Sequence, residues 1–194
     1  MPYSSNEGKD WLAERIWAAL RGAPERADAE GNRLAPRVLD IGAGSGTYAD
    51  LLVRTDTGGA RHYPHETAIE IYPRYVHQYR LRRKYDEVII GDAREVGFPD
   101  SDVVILGDVL EHMSFGQAKE VWAKARAAAT TAVFLSLPVV EWPQGAVNGN
   151  AHEAHVHTWS HTSVIAHLPG VAEWWVGPTI GVYRALPSVP GVRS

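Results

Sequence analysis

The sequence predicts an α/β domain, a mostly parallel sheet with helices on both faces and an antiparallel hairpin at its C-terminal end. Three observations lead there. Short β-branched runs alternate with stretches of helical spacing between Arg37 and Val140. The first run leads straight into a glycine-rich turn, Asp40-Ile41-Gly42-Ala43-Gly44-Ser45-Gly46. Two late apolar runs, Val171 to Val176 and Thr179 to Leu186, are separated by Gly177-Pro178. Alternating strands and helices pair in parallel and cover both sheet faces.

In chain order, Trp11 to Leu20 sets Leu12, Ile16 and Leu20 at helical spacing and reads as an amphipathic helix. Gly22 to Ala35 is a polar loop broken by Pro24 and Gly31. Strands are expected at Arg37 to Ile41, Thr67 to Ile71, Glu87 to Ile90, Asp102 to Leu106 and within Thr131 to Val140. Helices are expected from Thr47 to Val53, from Pro73 to Lys84, where proline stands at a favourable first position, and from Phe115 to Ala129. Glu141 to Trp159 is polar, and Ser160 can cap a short helix reaching Leu168. The remainder from Pro187 is a loose tail.

With 194 residues the chain fits one domain. It has no cysteine, which removes disulfides, thiolate zinc sites, iron–sulfur clusters and a cysteine nucleophile. A net charge of −4 argues against nucleic acid as a partner. Arg74, Arg80, Arg82, Arg83 and Lys84 form a local basic cluster, either a solvated helix face or a patch for an anionic substrate. No apolar run approaches the roughly 20 residues of a membrane span, and Met1 to Asp10 lacks a signal-peptide core. A cytoplasmic protein without membrane contact is expected.

The glycine turn has a physical purpose. The chain must bend sharply there, and its backbone must approach a ligand without Cβ atoms between. Alone, such a turn marks any nucleotide site. Three neighbours sharpen it. Glu70 ends the second strand, where a carboxylate accepts hydrogen bonds from both hydroxyls of a ribose. Gly91-Asp92-Ala93 ends the third strand; Asp92 can accept from an adenine amino group, and the small Ala93 leaves room for the ring. Gly107-Asp108-Val109-Leu110-Glu111-His112 ends the fourth. Ligands of open parallel sheets bind beyond the carboxyl ends of the strands, so these ends mark one cleft.

The runs VLDIGAGSGTYADLL, AIEIYPRYV, GDAREVGFPDSDVVILGDVLEHM and FLSLPV resemble, in order, the successive motifs of class I S-adenosylmethionine (SAM)-dependent methyltransferases. The resemblance covers about Arg37 to Pro138 and implies a Rossmann-like, mostly parallel seven-stranded sheet with SAM as cofactor. It implies that Gly42, Ala43 and Gly44 line the methionine portion, with Asp40 behind the turn, holding the amino group directly or through water. Glu70 would bind the ribose, Ile71 would pack on the adenine, and Asp92, with Ala93 beside it, would bind the adenine amino group. Asp108 would lie near the reacting methyl. The organisation expected is one domain over 1–194: helix and loop 1–36, SAM-binding core 37–140, acceptor loop, short helix and closing hairpin 141–186, and tail 187–194. A nicotinamide dinucleotide is the competing cofactor, but GAGSG differs from G-x-G-x-x-G. The missing cysteine rules out radical SAM chemistry and cytosine C5 methylation of the usual kind.

After the fifth strand comes Asn148-Gly149-Asn150-Ala151-His152-Glu153-Ala154-His155-Val156-His157-Thr158-Trp159-Ser160-His161. Three readings stay open. His155 or His157 is a general base for an acceptor hydroxyl or holds the acceptor. Alternatively, His152, Glu153, His155 and His157 hold a divalent ion, although the run lacks a zinc spacing such as H-E-x-x-H, and no metal ligand set is assigned. Or the histidines only tie the loop to the core. His112, just after Asp108, is a further catalytic candidate. Trp142 and Trp159 flank the loop as candidate pocket walls, Tyr72 and Tyr75 could cover the adenine side, and most late aromatics, Trp174 and Trp175 among them, are expected in core or hairpin packing. The place of the Asn/Asp-Pro-Pro-aromatic stretch of DNA base N-methylation reads Gly107-Asp108-Val109-Leu110, so a small-molecule or glycan acceptor is expected. Oxygen is the preferred accepting atom. An N-methyltransferase and a SAM-binding sensor or scaffold without transferase activity are the alternatives, and a homodimer that completes the acceptor site stays open.

Overall fold

The computed structural model describes residues 6–55 and 63–188. Seven strands form one sheet: β1 (Arg37–Ile41), β2 (His65–Glu70), β3 (Glu87–Ile90), β4 (Ser101–Gly107), β5 (Ala129–Pro138), β6 (Val171–Val176) and β7 (Ile180–Ala185). Their spatial order is β3-β2-β1-β4-β5-β7-β6. The first five pair in parallel. β7 is antiparallel to both β5 and β6, so the closing hairpin lies at one end of the sheet with β6 at the edge. The strand order reverses between β1 and β4, and such a switch point opens a crevice beyond the strand ends.

Strand alternation sends successive side chains to opposite faces. Val103 and Ile105 of β4 join Val38 of β1 and Phe134 of β5 under α1 (Lys9–Arg21) and α2 (Thr47–Thr55). Val104 and Leu106 join Leu39, Ile41, Val133 and Leu135 under α4 (Phe115–Ala128), whose Val121, Trp122 and Ala125 face the sheet. Central strands buried on both faces explain the near-continuous apolar runs. Ser114 and Gln117 form a capping box that starts α4. Ser160 Oγ accepts from Ser163 N at 3.1 Å and starts α5 (His161–His167), as its position predicts.

Two local expectations change. The stretch from Pro73 to Lys84 is not one helix: α3 (Pro73–Gln78) stops, Arg80 turns left-handed with φ 53°, and a single 3₁₀ turn follows over Leu81–Arg83. The break brings Leu81 and Tyr85 into a small core with Val76, Ala43 and Ala68. The basic cluster is therefore split between two elements, and Lys84 is taken up by Asp50 and the Ser45 carbonyl. Trp174 and Trp175 keep their place in the hairpin, Trp174 with its ring 5.6 Å from that of His161, but both are exposed rather than packed in the core. Residues 189–194 of the expected tail lie outside the described residues. No helix among the described residues is long and apolar enough to cross a membrane.

Glu66 on β2 stands in register with Val38, and its side chain is buried. Burial, with Asp40, Asp86 and Asp50 adding like charge, pushes its carboxyl up to about 8 against a hydrogen bond with Tyr63. A native pKa above the unfolded one makes the group's stabilising effect complete at low pH and lost as pH rises towards about 8. Glu66→Gln, which keeps the shape of the neutral acid, should be more stable than the natural chain at pH 8, with the difference shrinking at pH 5. Urea-denaturation midpoints at the two pH values measure this.

Candidate functional site

At the carboxyl edge of β1, β2, β3 and β4 lies a cavity of about 580 Å³. That volume suits a ligand of drug or cofactor size. The glycine turn forms one wall, with Gly42, Ala43 and Gly44 on its surface. Gly42 has φ 71°, and a Cβ there would come within 2.5 Å of Val109 Cγ2. The turn is fastened to β2: the amides of Gly42 and Ala43 donate to the Ile69 carbonyl at 2.8 and 3.2 Å.

Glu70 is buried and lies on the cavity wall. One carboxylate oxygen accepts from Gly44 N at 2.8 Å and the other from Tyr72 N at 2.8 Å. Each oxygen retains a lone pair, since a carboxylate has about four acceptor positions. Burial raises its pKa, and the two amides oppose that rise. Ile71, Asp92 and Ala93 line the next stretch of wall. Arg94 grips the Asp92 carboxylate, donating from Nε at 2.9 Å, and holds its pKa down. Tyr75 is buried, with Tyr72 edge-on to it, and neither lies on the wall.

Asp40 takes a place behind the turn and is not on the wall. Its carboxylate accepts from Tyr85 Oη at 2.5 Å, while burial lifts its pKa to about 6. The other carboxylate oxygen, Oδ1, is buried without a partner. Tyr85 packs with Ala43 in the small core. On the far side, Lys9 of α1 is buried and donates to Tyr48 Oη at 2.6 Å, and Tyr48 lines the cavity. Burial lowers the Lys9 pKa against attraction from Asp108 and Asp40. Lys9 stands on the same helical stripe as Leu12, Ala13 and Ile16, and that was the readable signal for it in the sequence.

Asp108 follows β4 in the left-handed region, φ 54°. A non-glycine residue held there stores strain, a common feature of functional sites. One of its oxygens accepts weakly from Ser136 Oγ at 3.4 Å, and Oδ2 is buried without a partner. Glu111 comes next on the wall, buried, with both carboxylate oxygens unpartnered. Burial first, then Asp108, raises its pKa well above the ordinary range. The signal for Glu111 in the sequence is an acid set between apolar Leu110 and His112.

The histidine segment folds over this end. His155 N donates to the Gln144 carbonyl at 2.9 Å, and its Nδ1 donates to the Trp142 carbonyl at 2.6 Å. His112 Nδ1 donates to the Ala154 carbonyl at 3.3 Å. The two rings meet edge to face, 5.0 Å between centroids, and both line the cavity. His157 does not. Val156 N and His157 N both donate to the Glu111 carbonyl, which bends the chain and breaks the alternation that would have kept His155 and His157 on one face. His157 instead packs against Phe115 and Trp159. Trp142 lines the cavity as expected, while Trp159 is buried in the core, away from the wall. His152 and Glu153 also reach the wall.

A family model described as a methyltransferase domain matches residues 39–140. Among curated proteins no significant match is found. Solved structures share the fold. The PH0226 protein from Pyrococcus horikoshii OT3 is similar at TM-score 0.61 and 17% identity over 95% of this chain and 92% of its own. Magnesium protoporphyrin IX methyltransferase from Synechocystis PCC 6803, with bound S-adenosylhomocysteine (SAH), is similar at TM-score 0.63 and 16% identity over 93% of this chain and 84% of its own. The mitomycin 7-O-methyltransferase MmcR is similar at TM-score 0.57 and 18% identity over 90% of this chain, which spans 54% of MmcR.

Gly42→Ala forces a side chain into the left-handed region and against Val109. It should lower stability by about 1–2 kcal/mol. Chemical denaturation measures this, and a loss near zero would show that the turn relaxes freely.

Proposed function

The chain belongs to the class I SAM-dependent methyltransferases, and we propose that it methylates the hydroxyl oxygen of a small molecule or glycan end. The observation that carries this reading is the shape of one cavity. Acidic strand ends suited to an adenosine and two carbonyl-anchored histidines line the same cavity.

When bound, SAM supplies an electrophilic methyl group on a sulfonium sulfur. The chain's own groups then divide the work. The Gly42-Ala43-Gly44 turn receives the methionine end, where no side chain obstructs the backbone. Glu70, already held by two amides, offers its remaining lone pairs to the ribose hydroxyls. Ile71 would pack on the adenine and Ala93 would leave it space, while Asp92, both of whose oxygens are held by Arg94, would have to share its carboxylate to accept from the adenine amino group. Asp108 places negative charge near the sulfonium. His112 and His155 face the acceptor oxygen, which must lie in line with the bond being broken. Because Nδ1 of each ring donates to a carbonyl, Nε2 is left as the basic nitrogen. Trp142 closes the acceptor side with an apolar wall. His157 has no place in this arrangement. A cytoplasmic setting and a non-nucleic-acid acceptor belong to the same reading, the latter supported by the net charge of −4. A SAM-binding sensor differs in one consequence: it binds SAH but yields no methylated product.

Glu70→Ala should weaken SAH binding by about 1–3 kcal/mol, the cost of leaving polar partners unpaired. Unchanged affinity in calorimetry would remove the ribose assignment. His155→Ala should retain SAH affinity and lose about 10²–10⁴-fold in kcat on any hydroxyl acceptor that the natural chain turns over. Full turnover in that variant overturns the role of His155.

A further inference from the structure

One buried group remains unexplained by methyl transfer alone. Glu111 is 2% exposed, and neither carboxylate oxygen has a hydrogen-bond partner. An isolated carboxylate in that position is costly unless it is neutralised or meets a cation. Lys9, the buried lysine nearby, is engaged with Tyr48 and faces Asp108 and Asp40. What Glu111 does meet is a pair of histidines. One ligand atom each from Glu111, His112 and His155 lies within 4.8 Å of the other two.

We infer that Glu111, His112 and His155 form a binding site for a divalent first-row transition-metal ion, opening into the cavity where the acceptor is received. The donor set is two imidazoles and one carboxylate, which suits zinc, manganese, iron or cobalt better than calcium. Both rings are already oriented as ligating histidines usually are. His155 Nδ1 donates to the Trp142 carbonyl and His112 Nδ1 to the Ala154 carbonyl, which leaves Nε2 as the free ligand atom of each. Ligand atoms about 2.1 Å from one ion lie at most about 4.2 Å apart. One potential ligand atom of each residue already lies within 4.8 Å of the others, close to that limit, and bringing both Nε2 atoms onto one ion takes side-chain rotation in addition. Asp108 Oδ2, buried and unpartnered on the same wall, adds a further acid beside the three. Once the two Nε2 atoms coordinate the ion they no longer serve as the base; three protein ligands leave coordination positions open, and an acceptor hydroxyl bound there is made more acidic by the ion instead. These positions give onto the cavity and fit an acceptor that presents a chelating pair of oxygens, such as a vicinal diol. The ligand set differs from the four histidine-segment residues considered from sequence. Of those, His155 alone belongs to it, and the other two ligands come from the end of β4. The ion site stands on side-chain geometry; the acceptor chemistry rests on the methyl-transfer reading above.

The test uses untagged full-length protein, stripped with a chelator and titrated with Co²⁺. Visible d–d absorption and calorimetry follow the ion, and calorimetry with SAH follows the cofactor site on the same preparation. One Co²⁺ per chain is expected. Glu111→Gln, close in shape to the neutral acid, and His155→Ala should each weaken Co²⁺ at least about tenfold, a loss that even outer-shell changes produce. His65→Ala, at the exposed start of β2, should leave Co²⁺ affinity unchanged. Circular dichroism confirms that each variant is folded. Absence of one-to-one binding, or binding indifferent to both substitutions, overturns the ion site. If SAH still binds in that case, the methyl-transfer reading stands without the ion. If Co²⁺ binds and SAH does not, the ion site stands and the cofactor reading falls.

Discussion

The structure depends on one carboxylate. Glu70 accepts the Gly44 amide with one oxygen and the Tyr72 amide with the other, tying the turn after β1 to the turn after β2. Both turns leave parallel neighbours in the sheet, so their amides would otherwise point into the crevice without a protein partner. Charge-assisted bonds of this kind are about twice as strong as neutral ones. The grip sets the height of the glycine turn, and the turn sets one wall of the cavity.

The cavity is a collection of acids, each compensated differently. Asp40 has the Tyr85 hydroxyl, Glu70 two backbone amides and Asp92 the Arg94 guanidinium. Asp108 has little more than Ser136, and Glu111 has none. The acids with the fewest partners thus lie beyond β4 and under the histidine segment, where burial favours the neutral form of Glu111, and Asp40 behind the turn keeps one unpartnered oxygen. A sulfonium cofactor and a divalent ion are both cations, and an end poor in internal partners is where such ligands gain most. Lys9 tempers this field from behind Tyr48 without entering the cavity wall.

The histidine segment is positioned by backbone bonds rather than by its own side chains. The Glu111 carbonyl accepts from two successive amides, Val156 and His157, while Gln144 accepts from His155. A loop anchored in this way delivers the His155 ring to the cavity and turns the His157 ring away towards Phe115. The same carbonyl that bends the segment belongs to the residue whose carboxylate lacks a partner, so loop and acid are registered to each other.

Periodicity and turn chemistry were enough to read the strands, most helices, the closing hairpin and the strand ends that border the cleft, because each depends on neighbours close along the chain. The helix break at Arg80 was not legible, since it serves the packing of Leu81 and Tyr85 beneath Ala43. Nor was the hydrogen bond from Tyr85 to Asp40, or the separation of His155 from His157. Local patterns along the chain specify an open parallel sheet whose carboxyl edge carries glycine and acids in the order of an adenosine site. Which side chains share the acceptor end is set by long-range packing, because Glu111 and His112 meet His155 across more than forty residues of chain, through a carbonyl that no local pattern encodes.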